Sequence, residues 1–195
     1  MEIKINEQKL IGNWRMGWAL DLHTISSKLL SNGTFDTQRT EIGELLYQLK
    51  YNFDKSKIEP IASIAASFLK TRLVFPYLKA IIPVPPSKLD RPFQPVQELA
   101  IKIGEKVNLP VPLDYLVKVK KTKFLKDIEN TESRKTQLKG AFKVRDNRFA
   151  GKYILLFDDL FRSGETLNEI TNVLVKEGKV SRVFVLTITK TRTKR

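Results

Sequence analysis

The chain has 195 residues, 42% of them apolar, with a formal net charge of +14, no cysteine and one histidine. That is enough for one domain with a substantial core, and the apolar content argues against disorder. The absence of cysteine excludes disulfides and thiolate zinc sites, a single histidine excludes a multi-histidine metal centre, and the positive charge favours phosphorylated metabolites, nucleic acid or acidic surfaces without choosing among them.

Residues 1–39 are the least legible stretch. Trp14, Trp18, Leu20 and Leu22 alternate with other residues and predict one or two half-buried strands, and Ser31-Asn32-Gly33-Thr34 is a turn signal. We read residues 1–39 as a small β-rich extension, a hairpin or hood, ahead of a main domain over 40–195. His23 reads first as a hydrogen-bonded structural residue, with acid–base chemistry as the alternative its ordinary pKa permits. Thr40 is a candidate N-cap, and Ile42, Leu45, Leu46 and Leu49 predict a helix over 41–51. A second helix is expected near Pro60, with Ile61, Ile64, Ala65, Phe68 and Leu69 inward.

Ala80 to Val84 reads as a short strand running into Pro85, Pro86, Ser87 and Lys88. X-Pro bonds there can be cis. That loop, with Lys88 and Arg91, is either an anion site or a plain proline-rich connector. A third helix is expected over 95–107. Leu113, Tyr115, Val117 and Val119 alternate as in a strand. The segment that follows, with Lys120, Lys121, Lys123 and Arg134, is polar and long for a connection, as lids and binding loops are. Arg182 to Ile188 supplies a last strand. Strands alternating with helices predict an α/β fold: an open, mostly parallel twisted sheet with helices on both faces. No run of 18 apolar residues and no signal peptide is present, so the expectation is a cytoplasmic protein without membrane attachment.

The most informative stretch runs from Tyr153 to Leu167. Tyr153 to Phe157 is a short apolar run after Gly151, the pattern of a buried parallel strand. Asp158 and Asp159 stand at its expected carboxyl end, where ligands bind in open α/β sheets. A loop of Arg162, Ser163, Gly164, Glu165 and Thr166 then opens a helix whose N–H groups suit a phosphate. Ionised carboxylates only accept hydrogen bonds, so they suit hydroxyls or a metal. Together these features describe a sugar phosphate, its diol on the acids and its phosphate in the loop. The plainer reading is a buried strand, a solvated acid pair and an ordinary helix cap. No G-x-x-x-x-G-K-[ST] occurs, and no G-x-G-x-x-G follows a strand.

This stretch resembles the PRPP-binding motif of type I phosphoribosyltransferases: an apolar run (Ile154 to Phe157), two acids (Asp158, Asp159), then a loop with Ser163, Gly164 and Thr166. Arg162 departs from that motif, standing where many members carry Asp or Thr. Members acting on purines often use that Asp near the base, so Arg162 speaks against a purine. ComF-like members are especially similar, on Pro83-Val84-Pro85, on Arg91-Pro92-Phe93-Gln94-Pro95, on Arg134 with Gly140-Ala141-Phe142, and on Leu49-Lys50-Tyr51. Their four-cysteine zinc module is missing, and Trp14 to Thr24 occupies its place.

The resemblance implies transfer of the phosphoribosyl group of PRPP, with Mg2+, to a small-molecule, nitrogenous acceptor. It assigns the ribose hydroxyls to Asp158 and Asp159, directly or through magnesium-bound water, and the 5-phosphate to Arg162 through Thr166. Pyrophosphate falls to the loop Val84, Pro85, Pro86, Ser87 and Lys88, and the lid to Lys120, Lys121, Lys123 and Arg134. The alternatives are a non-catalytic module that binds PRPP or a nucleotide, and a nucleic-acid-associated ComF-like protein. The charge implies weak, salt-dependent nucleic-acid binding in any case. A homodimer is compatible with this reading.

Overall fold

The structure is a computed structural model that describes residues 3–87, 92–120 and 138–192. In chain order it places β1 (Gln8–Lys9), β2 (Met16–Leu22), β3 (Thr24–Leu29), β4 (Phe35–Arg39), α1 (Glu41–Tyr51), α2 (Ile58–Lys70), β5 (Leu78–Pro83) and α3 (Pro95–Val107). Then follow β6 (Leu116–Lys118), β7 (Phe142–Val144), β8 (Tyr153–Phe161), α4 (Glu165–Lys176) and β9 (Arg182–Lys190). The central sheet has the order β1-β2-β9-β8-β5. Its last four strands in that order are parallel, and β1 runs antiparallel at one edge.

Each strand alternates its side chains between two apolar layers. Trp18, Leu20, Ile81, Leu155, Phe157, Phe184 and Leu186 face α1, α2 and α3. Ala19, Ala80, Ile82, Ile154, Leu156, Val183 and Val185 face the other way, against Leu167, Ile170, Val173 and Leu174 of α4 and Leu116 and Phe142 of the β6–β7 pair. The expected mostly parallel sheet with helices on both faces is therefore the observed one.

Helices α1 and α3 begin and end as their apolar spacing predicts. The Thr40 hydroxyl caps α1 by accepting from Gly43 N–H and donates to the Leu22 carbonyl, which ties the start of α1 to the end of β2. Gly43 lies where α1 meets the chain leaving β2, and a Cβ there would stand 2.3 Å from the His23 carbonyl oxygen. Gly43→Ala is expected to cost about 1–3 kcal/mol, as overpacking does. Urea unfolding measures it, and an unchanged midpoint would mean that α1 shifts freely.

Several details differ from the sequence-based expectations. Strand β2, expected to be half-buried, lies inside the central sheet and pairs in parallel with β9 from Met16↔Phe184 to Leu22↔Lys190. Its Gly17 leaves room for the Trp14 indole, whose Nε1 would sit 2.4 Å from a Cβ there. Only the β3–β4 hairpin of the first 39 residues forms a sheet of its own, around the expected Ser31–Thr34 turn. Strand β6 is shorter than the alternation from Leu113 to Val119 predicts. None of the described peptide bonds is cis. Lys88, Arg91, Lys121, Lys123 and Arg134 lie outside the described residues. No described helix is long and apolar enough to cross a membrane.

Candidate active site

Strand β8 does not stop at Phe157. It continues through both aspartates to Phe161, because β9 goes on pairing with it: Asp158↔Thr187, Leu160↔Thr189 and Phe161↔Lys190. On its other side, pairing with β5 ends at Pro83↔Phe157, with one more bond from Val84 N–H to the Phe157 carbonyl at 2.9 Å. The acids thus lie just past the last described pairing with β5, on a stretch of strand paired, among the described residues, with β9 alone. That gap at the carboxyl edge is where the pattern of the sequence places a ligand.

The two carboxylates have different surroundings. The strand's two-residue period sends Asp158 towards the face of Ile154 and Leu156, and Asp159 towards the face of Leu155 and Phe157. Asp159 is buried, and its Oδ2 lies 2.7 Å from Nζ of Lys50, in the last turn of α1. Burial works to lower the Lys50 pKa, but the charge of Asp159 and its hydrogen bond outweigh that and hold the ammonium above the ordinary lysine value. Asp158 is half-buried, and the Asp159 N–H donates to its Oδ1 at 2.9 Å. Burial, and next the charge of Asp159, push the Asp158 carboxyl up to about 7. The pair is split: one acid is tied to a lysine, while the other titrates near neutrality.

Lys50 was not among the residues expected in the site. The signal was present: Ile42, Leu46 and Lys50 form one i, i+4 row, so the lysine occupies a position on the buried stripe of α1.

Beyond Phe161, Arg162 and Ser163 are exposed, Gly164 is buried with φ +84°, and α4 starts at Glu165. Gly164 is the N-cap, and no side chain among the described residues caps the first N–H groups of α4. A Cβ at Gly164 would lie 3.0 Å from the Phe161 ring and 3.6 Å from Trp14, and its left-handed φ favours glycine in any case. Asn13 braces the first turns of α4: its N–H donates to Asn168 Oδ1 at 2.9 Å and its side-chain amide donates to the Asn168 carbonyl at 2.9 Å and to Asn172 Oδ1 at 2.8 Å. Thr166 is half-buried, and Glu165 turns one carboxylate oxygen, Oε2, into the protein, where it has no hydrogen-bond partner among the described residues. Across the gap, Val84 is buried, Pro85 and Pro86 are half-buried and Ser87 is exposed. Of the expected lid, only Lys120 is described, and it is exposed.

No three acidic or histidine side chains among the described residues gather into a metal cage. The oxygen donors present are the acid pair. A hard cation such as magnesium is commonly held by one or two carboxylates together with substrate phosphates, and the acid pair fits that arrangement.

No family model and no curated protein matches the sequence. Solved structures match in fold. The adenine phosphoribosyl transferase of Trypanosoma brucei, in complex with AMP, pyrophosphate and ribose-5-phosphate, is 13% identical with a TM-score of 0.51, over 95% of this chain and 75% of that one. The adenine phosphoribosyltransferase of Leishmania tarentolae is 8% identical with a TM-score of 0.50, over 95% and 94%. Against the glutamine PRPP amidotransferase of B. subtilis the TM-score is 0.48 at 15% identity, and the match spans 83% of this chain but 35% of that enzyme. The chain has the fold of the type I phosphoribosyltransferases.

Proposed function

We propose that the protein is a phosphoribosyltransferase that uses Mg–PRPP. The carrying observation is the half-buried Asp158 at the carboxyl end of β8, beyond the last described pairing with β5 and five residues before Ser163, with the N-terminus of α4 just beyond it. A ribose diol needs an acceptor where the strand edge opens, and a 5-phosphate needs free N–H groups one short loop away.

In this reading Asp158 accepts from a ribose hydroxyl, and Asp159, fixed by Lys50, holds the second acceptor position. Ser163 to Thr166 cradle the 5-phosphate, and Val84 to Ser87 border the pyrophosphate, with Lys88 next in sequence. A nitrogen lone pair on the acceptor forms the new bond to C1, the C1–O bond breaks with its electrons leaving on pyrophosphate, and the nitrogen's proton passes to solvent. Magnesium, bound with PRPP and reached by Asp158 and Asp159 through water, would neutralise charge on the departing pyrophosphate. The ComF-like assignment rests on the sequence resemblance alone.

Thermal unfolding with and without Mg–PRPP tests the binding half. A ligand specific to the native state at a hundred times its Kd adds about 2.7 kcal/mol, so Tm should rise clearly. Pyrophosphate release on adding an acceptor then separates a transferase from a module that only binds. An unmoved Tm at millimolar Mg–PRPP would overturn the proposal.

A further inference from the structure

The acceptor is the part of the proposed reaction still without residues, and the chain's one histidine lies at the same edge of the sheet as the acid pair. His23 directly follows β2, so it lies on the same carboxyl edge as the acid pair, with β9 between them. Its position is fixed. Its N–H donates to the Lys190 carbonyl at 2.8 Å, its own carbonyl packs on Gly43, and its Nδ1 lies 3.2 Å from the hydroxyl of the fully buried Thr189.

A purely structural histidine would need nothing more. Lys190 of β9 pairs with Leu22 on one side and with Phe161 on the other, so His23 and Arg162 leave the sheet at the same level, and the ring feels the charges of Lys50, Arg39, Asp159 and Arg162. Lys50 is matched by Asp159 at 2.7 Å, and Arg39 by Glu44 at 3.2 Å, with its guanidinium 3.6 Å from the centre of the Tyr47 ring. Arg162 is exposed and has no ion-pair partner among the described residues. Burial, and after it Lys50 and Arg39, lower the imidazole pKa to about 4, so at neutral pH the ring is an uncharged hydrogen-bonding group. The edge therefore offers a fixed neutral imidazole next to uncompensated positive charge. A neutral base would use the first and leave the second unmatched, whereas an anionic acceptor uses both, since Arg pairs carboxylates with defined geometry.

Resting on the transferase reading, we propose that His23 and Arg162 form the acceptor subsite, and that the acceptor is a nitrogen heterocycle carrying a carboxylate. His23 is a specificity residue in this scheme: it hydrogen-bonds the ring of the acceptor, while Arg162, which the resemblance placed in the 5-phosphate loop, meets the acceptor's anion instead and leaves the 5-phosphate to Ser163 through Thr166.

The test uses pairs of probes that differ in charge on a similar ring: nicotinate against nicotinamide, and orotate against uracil. Each is titrated into the full-length protein saturated with Mg–PRPP, by calorimetry and by the imidazole NMR resonance, which is unique because the chain has one histidine. We expect at least one carboxylate to bind about ten- to a hundredfold tighter than its neutral counterpart, the range of a charge-assisted hydrogen bond. It should shift the His23 resonance. Arg162→Gln should abolish that preference, and His23→Gln should weaken the carboxylate while keeping Mg–PRPP affinity. Equal binding of the neutral probes, or carboxylate binding that leaves the His23 resonance unmoved, overturns the subsite. Mg–PRPP binding without any carboxylate preference removes this inference alone; failure of Mg–PRPP to bind removes it together with the transferase reading.

Discussion

Lys50→Met is expected to destabilise the protein by about 3–5 kcal/mol, because it leaves Asp159 as a buried carboxylate without its cation. Asp159→Asn should cost a comparable amount by stranding the ammonium. Asp159 follows the apolar run of β8 and does not stand within it, yet it is buried. The double variant Lys50→Met/Asp159→Asn should recover much of the loss, because removing both charges of a buried pair is often close to neutral for stability. Urea unfolding of the four proteins gives the coupling directly. Single variants that each cost under 1 kcal/mol and simply add would show the pair to be incidental.

The second large effect concerns Asp158 and runs the other way for stability. Its carboxyl is raised from 3.8 to about 7 in the native protein, so between those values the native state binds more protons than the unfolded chain. Stability contributed by the protonated form is complete below about pH 4 and is lost as pH rises through 7. Asp158→Asn is a neutral isostere that escapes this loss. At pH 8 it should be more stable than the wild type by roughly 2–4 kcal/mol, from about three pKa units at 1.36 kcal/mol each, reduced because solvent reaches part of the carboxyl. His23 contributes with the opposite sign. Its lowered pKa costs stability as pH falls from 6.5 towards 4, so only the difference between wild type and Asp158→Asn isolates the carboxyl. A variant less stable than the wild type at pH 8 would contradict this account. A substitution that stabilises the fold while weakening its ligand is the mark of a residue kept for function.

The helices were legible because their chemistry is local. The apolar row of α1 and its Thr40 cap, and in α3 the proline at the first position and the left-handed Asn108 at the end, fix their bounds within each segment. Strand limits were less legible, since pairing partners decide them. Asp158 and Asp159 have low strand propensity, so the sequence ends β8 at Phe157, yet β9 carries the ladder four residues further. Likewise nothing within Met16 to Leu22 says that its partner is β9, far along the chain.

The acid pair, the glycine-bearing loop that opens α4 and the proline-rich stretch after β5 all stand out in local sequence pattern. What the pattern could not supply was the pairing between them: that Asp159 is committed to Lys50, that Asp158 is not, and that His23 joins the same edge. These are contacts between elements distant in sequence, and only the packing of α1 and β2 onto the sheet creates them.

The most direct test of the central claim is a calorimetric titration of Mg–PRPP into the wild type and into Asp158→Asn at pH 8, where the carboxyl is ionised. If Asp158 receives the ribose hydroxyls, the wild type binds and the variant, though more stable, binds about ten- to a hundredfold more weakly, the worth of one lost charge-assisted hydrogen bond. Equal affinity in the two proteins, or a wild type that does not bind Mg–PRPP at all, would contradict it.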